Sequence, residues 1–169
     1  MQKTYYVPYM LKNTNKLFCQ TVSYRKYGLD EGFPGLNVYS IAQYKDGFLW
    51  FGTEAGLSRF NGKHFKNYTI IDGLPDNEIL KIFVDSKNKV WLLPYTNKIA
   101  FIQSGILHTS NNDPLLSKIK LSRPIYQIAE NKDVDIGFID ETSIYVISDN
   151  KKIHINKFKN LELLSRPKL

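Results

Sequence analysis

Two pairs of adjacent carboxylates, Asp30–Glu31 and Asp140–Glu141, and three histidines, His64, His108 and His154, are the side chains whose types could do acid–base or metal chemistry. A carboxylate pair can serve as acid and base across a glycosidic bond. Histidine holds zinc when Cys, His or carboxylate ligands stand at short spacing from it. Neither pattern is completed. Each histidine falls on an expected outer strand with no Cys, Asp or Glu at ligand spacing, so no metal is expected. The carboxylate pairs fall in expected turns, where solvation accounts for them. Cys19 is the single cysteine, which excludes an intrachain disulfide and a Cys-rich zinc finger. With no histidine placed beside it, it is no nucleophile candidate. The Gly-x-Ser-x-Gly elbow, the Walker loop and the Gly-x-Gly-x-x-Gly loop are all missing. The expectation is therefore a chain with no catalytic residue, no cofactor and no enzymatic activity.

The composition bounds what positions these residues. The chain has 169 residues, 43% hydrophobic and 23% charged, so it is neither disordered nor charge-dominated. Aromatics reach 14%, which with many Ile and Val favours β-structure. No apolar run approaches the ~18 residues of a membrane-spanning helix. The net charge of +7 invites a nucleic-acid reading. The lysines are scattered, however, apart from the stretch from Lys151 to Lys168, so a solubilising surface is expected rather than a nucleic-acid partner. At the N-terminus, Leu17-Phe18-Cys19 weakly resembles a lipoprotein cleavage site, but Lys16 and the bulky Phe18 oppose that. Residues 1–20 are expected to be a leader remnant or a poorly ordered arm.

The middle of the chain repeats itself. At a shift of 41 residues, Tyr24 falls on Phe65 and Tyr27 on Tyr68. Gly32-Phe33-Pro34 falls on Gly73-Leu74-Pro75, Val38 and Ile41 on Ile79 and Ile82, and Trp50 on Trp91. Within one period, short strands alternate with turns. Val38–Tyr44 is a first strand, Phe48–Thr53 a second, Leu57–Phe60 a third and Lys63–Tyr68 a fourth. Asn61-Gly62 predicts a two-residue type I′ hairpin, because both central positions of that turn need positive φ. Four antiparallel strands every ~40 residues describe a propeller blade. A helical repeat is excluded, since the apolar period is two rather than 3.6. A second copy is expected over strands near 79–85, 89–94, 98–102 and 105–109. A third and weaker copy is expected near 125–158, with Ile136 where the tryptophan stood. The expected organisation is all-β, a partial propeller of about three four-stranded blades, possibly an open or truncated ring. Its blades would cover about 28–69, 70–110 and 120–158, with a tail over 159–169.

The run Ile41-Ala42-Gln43-Tyr44-Lys45-Asp46-Gly47-Phe48-Leu49-Trp50-Phe51-Gly52-Thr53-Glu54-Ala55-Gly56-Leu57-Ser58-Arg59-Phe60-Asn61-Gly62 closely resembles the two-component regulator propeller repeat. Asp72-Gly73-Leu74-Pro75-Asp76-Asn77 resembles the link between its blades. The resemblance covers about residues 21–109 and extends weakly to 158. It implies the periplasmic sensor part of a bacterial two-component system, often one that responds to glycan fragments. It implies ligand sensing and signal relay, not catalysis.

The motif residues also have direct physical reasons. Trp50 and Trp91 are expected to fill the gap between neighbouring sheets. Gly52 would let the next backbone approach. A propeller binds ligands near its channel, on loops that enter the innermost strand and loops that join the second and third strands. Those loops hold Asp30, Glu31 and Asn37, and six candidate ligand-binding residues, Glu54, Asp72, Asp76, Asn77, Tyr95 and Asn97. Carboxylates, amides and an aromatic platform suit an oligosaccharide. The alternative partner class is a protein docked on the exposed sheet faces, and the remaining propeller blades or self-association are expected to complete the ring.

Overall fold

A computed structural model describes residues 25–121, 123–148 and 153–157. The expected leader at 1–20 and tail at 159–169 lie outside them. Among the described residues, twelve strands form three four-stranded antiparallel sheets, each in sequential order. The first sheet holds β1 (Val38–Gln43), β2 (Leu49–Thr53), β3 (Gly56–Phe60) and β4 (Phe65–Tyr68). The second holds β5 (Ile79–Val84), β6 (Val90–Pro94), β7 (Ala100–Gln103) and β8 (Ile106–His108). The third holds β9 (Gln127–Glu130), β10 (Ile136–Ile139), β11 (Ser143–Ile147) and β12 (Ile153–Lys157). These are blades, and the three do not close into a barrel.

Between the first two blades lies a core of Trp50, Leu57, Ile79, Ile82, Leu92 and Ile102 with their neighbours. Between the second and third lies a core of Trp91, Leu93, Phe101, Ile128, Ile136 and Phe138 with theirs. Trp50 and Trp91 are both buried on equivalent strands. Each packs toward the blade that follows. Gly52 is what lets the first pair approach: a Cβ there would stand 2.5 Å from the backbone oxygen of Ile79.

The innermost turn has one form in all three blades. Its first backbone N–H donates to the fifth residue's carbonyl, from Tyr44 to Phe48, Asp85 to Lys89 and Asn131 to Asp135. Its fourth residue has positive φ: Gly47, Asn88 and Val134. The crossovers repeat as well. Glu31 accepts from the Gly28 N–H, and Asp72 accepts from the Thr69 N–H, each closing a short 3-10 turn before a left-handed glycine.

Three sequence expectations shift in detail. The β3–β4 turn is centred on Gly62-Lys63, because the Asn61 N–H pairs with the His64 carbonyl. Only Gly62 has positive φ there, and the Asn61 side-chain oxygen accepts from the Lys63 and His64 N–H groups. The type I′ condition is met instead at Ser104-Gly105, where φ is 51° and 78° and Gln103 pairs with Ile106. In the third blade the tryptophan position belongs to Gly137, not Ile136. Trp50 pairs with Ala42, Trp91 with Phe83 and Gly137 with Ala129, and Ile136 points into the core behind it.

Candidate functional site

The innermost strands β1 and β5 each carry a register irregularity near the start, between Val38 and Ser40 and between Ile79 and Lys81. A bulge leaves its extra residue out of the ladder and re-aims it. The extra residues are Tyr39 and Leu80, and both are exposed. In the third blade, exposed Tyr126 stands just before β9, its N–H donating to the Ile139 carbonyl. A tyrosine, a leucine and a tyrosine thus occupy related places on three successive blades.

Polar groups tie these places together. The Tyr39 hydroxyl donates to Glu78 Oε1 at 3.0 Å, from the first blade to the entry of the second. That hydrogen bond, with desolvation and the negative charges of Glu78 and Glu54, raises the phenol above its ordinary value. The Glu78 carbonyl accepts from the Tyr95 N–H at 2.9 Å, which sets the β6–β7 turn beside it. Tyr95 is 61% exposed and presents its ring to solvent. Lys81 Nζ donates to Gln127 Oε1 at 2.6 Å and reaches the Tyr126 carbonyl at 3.5 Å, from the second blade to the third. The outcome is a rim of exposed aromatic rings interleaved with a carboxylate, an ammonium group and an amide. Exposed rings beside hydrogen-bonding groups suit a ligand with both apolar faces and hydroxyls.

Of the six residues expected to bind ligand, four hold the loops that shape this rim. Glu54 accepts from the Leu36 and Asn37 N–H groups. The Asn37 bond is the largest cause that holds its carboxyl below the usual range, against burial, with Leu36 assisting. Asp72 accepts from Thr69, Asn77 from the Ile70 N–H and Asp76 from the Glu78 N–H. Tyr95 joins Tyr39 and Glu78 at the rim. Asn97 lines a separate shallow pocket against the 109–121 crossover. Tyr39, Glu78, Lys81, Tyr126 and Gln127 were not legible as site residues. The usable signal was a large side chain at the same repeat position of each blade, one place into β1 and β5 and just before β9.

Of the residues first considered for catalysis, Asp140, Glu141 and His108 are engaged structurally, as Glu31 is in its crossover turn. Asp140 is buried and accepts from the Thr142 N–H and hydroxyl, the Ser143 N–H and the Tyr145 hydroxyl. Burial pushes its carboxyl up, but those bonds outweigh it and leave it below the usual range. Glu141 pairs with Arg123. His108 stacks on Phe101 with ring centroids 4.5 Å apart, and its Nδ1 lies 3.4 Å from Asp113. Among the described residues, no helix is long and apolar enough to cross a membrane.

Residues 32–55 match the family described as two component regulator propeller. The match spans the first crossover, β1 and β2, the part of the repeat that carries Trp50 and Gly52. Comparison with curated proteins finds no match. Among solved structures, the chain resembles the extracellular domain of a hybrid two component system from B. thetaiotaomicron, with 18% identity and a TM-score of 0.66. That likeness covers 85% of this chain and 21% of that one. It also resembles a streptogramin B lyase, with 20% identity, a TM-score of 0.57, and coverage of 76% and 43%. A catalytically inactive virginiamycin B lyase from Staphylococcus aureus, with quinupristin, is 24% identical at a TM-score of 0.56, covering 73% and 42%. The chain spans less than half the length of each of these structures. At such identities the likeness establishes the propeller fold. Sensor domains and lyases both use it.

Proposed function

We propose that this chain is a ligand-recognising propeller module of a two component type sensor, acting outside the cytoplasm and without catalysis of its own. The match at residues 32–55 and the likeness to a sensor's extracellular domain support the sensor reading. The observation that carries ligand recognition is the Tyr39–Glu78–Tyr95 constellation, which joins two blades and leaves Tyr95 open to solvent. Its ligand class is an oligosaccharide, whose C–H faces stack on tyrosine while its hydroxyls meet Glu78, Lys81 and Gln127.

The lyase neighbours raise an enzymatic reading. The non-catalytic reading is supported by the use made of Asp140, Glu141 and His108, each committed to a turn, an ion pair or a ring stack. The test is a glycan array followed by calorimetry on the hits. Binding is expected for oligosaccharides and should fall about tenfold in Tyr95→Ala, the loss of one stacked ring. An array with no hit, or binding untouched by Tyr95→Ala and Glu78→Gln, would overturn the rim as the site.

A further inference from the structure

A pocket of about 220 Å³ lies between the β6–β7 turn and the crossover from the second blade to the third. Its apolar lining is Ile99, Leu116 and Ile119 with Leu121. Ile99 and Leu116 are buried core residues, so this part of the wall is held by the packing between blades. Its polar lining is Asn97, Lys98, Ser117 and Lys120, with Ser110, and all of these are exposed. No carboxylate lines it.

The crossover does contain an acid, Asp113, but that side chain is committed elsewhere. One oxygen accepts from the Leu115 and Leu116 N–H groups and the other faces His108. Glu141 is likewise paired with Arg123. Among the described residues, neither Lys98 nor Lys120 has a carboxylate within ion-pair distance. Two lysines therefore line one cavity together with an asparagine, two serines and an apolar wall. A positive field is complementary to an anion. The apolar wall adds a requirement that a free inorganic ion does not meet, namely a ring face attached to the charge.

We propose that this pocket takes an anionic sugar unit, a pyranose bearing a carboxylate or a sulfate, with Lys98 and Lys120 on the charge and the Ile99–Leu116–Ile119 wall against the ring. The proposal rests on the reading of the chain as a ligand-recognising propeller and adds the charge of the ligand to it. Tyr95 and Asn97 belong to the same β6–β7 turn, so that turn contributes to both the rim and the pocket.

The test is calorimetric titration of the full chain with three probes: trigalacturonate, a sulfated disaccharide and neutral galactotriose. At low salt one or both anionic probes should bind about tenfold or more tightly than the neutral probe, the scale of a charge-assisted hydrogen bond. Which of the two binds identifies the anion. Lys98→Gln and Lys120→Gln should each remove most of that preference, and added salt should weaken it. Lys63→Gln, at the remote β3–β4 turn, should leave it intact. Equal binding of charged and neutral probes that still depends on Tyr95 would overturn the anionic pocket and leave the rim reading standing. An anionic preference that survives both lysine substitutions would overturn the pocket. Binding of no probe at all would overturn it as well.

Discussion

The indole Nε1 of Trp91 donates to Asp85 Oδ2 at 2.9 Å, while the other oxygen of the same carboxylate accepts from the Lys87 and Lys89 N–H groups. One buried side chain thus shapes the innermost turn of the second blade and orients its tryptophan. The aligned residues of the other blades vary together. In the third blade Asn131 shapes the turn, accepting from the Asp133 and Asp135 N–H groups, and Gly137 offers no indole to satisfy. In the first blade Tyr44 stands at the aspartate position, and the buried Nε1 of Trp50 has no partner among the described residues.

Asp85→Ala should therefore destabilise the chain by about 3 kcal/mol, the scale of several lost bonds to a buried carboxylate. Asp85→Asn should cost less, since an amide oxygen can still hold the turn but sets its NH2 against the indole. Urea unfolding, comparing midpoints at constant m, measures both.

Gly52→Ala and Gly137→Ala should act with opposite sign. At Gly52 the added methyl meets the Ile79 carbonyl oxygen at 2.5 Å and must push two blades apart. At Gly137 the nearest atom is the Ala129 oxygen at 3.8 Å, an ordinary contact. Gly52→Ala should destabilise by about 2 kcal/mol. Gly137→Ala should stabilise by about 0.5 kcal/mol through the unfolded chain. Thermal melts of the two variants decide it.

Val134 holds φ of 64°, where the aligned residues are Gly47 and Asn88. A β-branched side chain is poorly suited to that region. Val134→Asn should stabilise the third blade by about 1 kcal/mol. A loss of stability on that substitution would show that the valine side chain has a packing role outweighing its strain.

Acid should weaken the fold through Asp140 and Glu54. Both carboxyls are held below their ordinary values, 3.8 and 4.5, in the folded chain. A depressed folded pKa contributes stability that is present above the unfolded value and is lost as pH falls through the folded one. Stability should therefore drop as pH falls below about 4.5 and keep dropping past 3.8, and Asp140→Asn should flatten the lower part of that drop. Denaturant midpoints from pH 6 to pH 2.5 test this.

The Tyr39 phenol should titrate above its free value, with Glu78 as the chief cause. Ultraviolet titration of wild type against Tyr39→Phe isolates the group. Glu78→Gln should bring it down toward the ordinary value. No change in that variant would refute the rim geometry.

How much of this was legible in the residues depends on what each feature requires. The 41-residue register, the strands of the first two blades, the burial of both tryptophans and the close approach at Gly52 follow from alternation, turn residues and side-chain volume, all of which are local. The third blade's register is different. Its β10 alternation, Ile136-Gly137-Phe138-Ile139, permits two faces, and only pairing with Ala129 and Val146 decided which one meets the core. The tight hairpin after β3 moved for the same reason: Asn61-Gly62 is a strong local signal, but the Phe60–Phe65 pairing leaves room for a turn centred one residue later. The site lay furthest from reach. Glu54, Asp72, Asp76 and Asn77 have the chemistry of ligand-binding groups, yet whether their oxygens meet a ligand or the backbone depends on where the neighbouring N–H groups fall. The rim itself joins Tyr39 to Glu78 and Lys81 to Gln127, residues some 40 positions apart in the chain. Sequence spacing carries no trace of such contacts, because the packing of one blade on the next sets the distance between them.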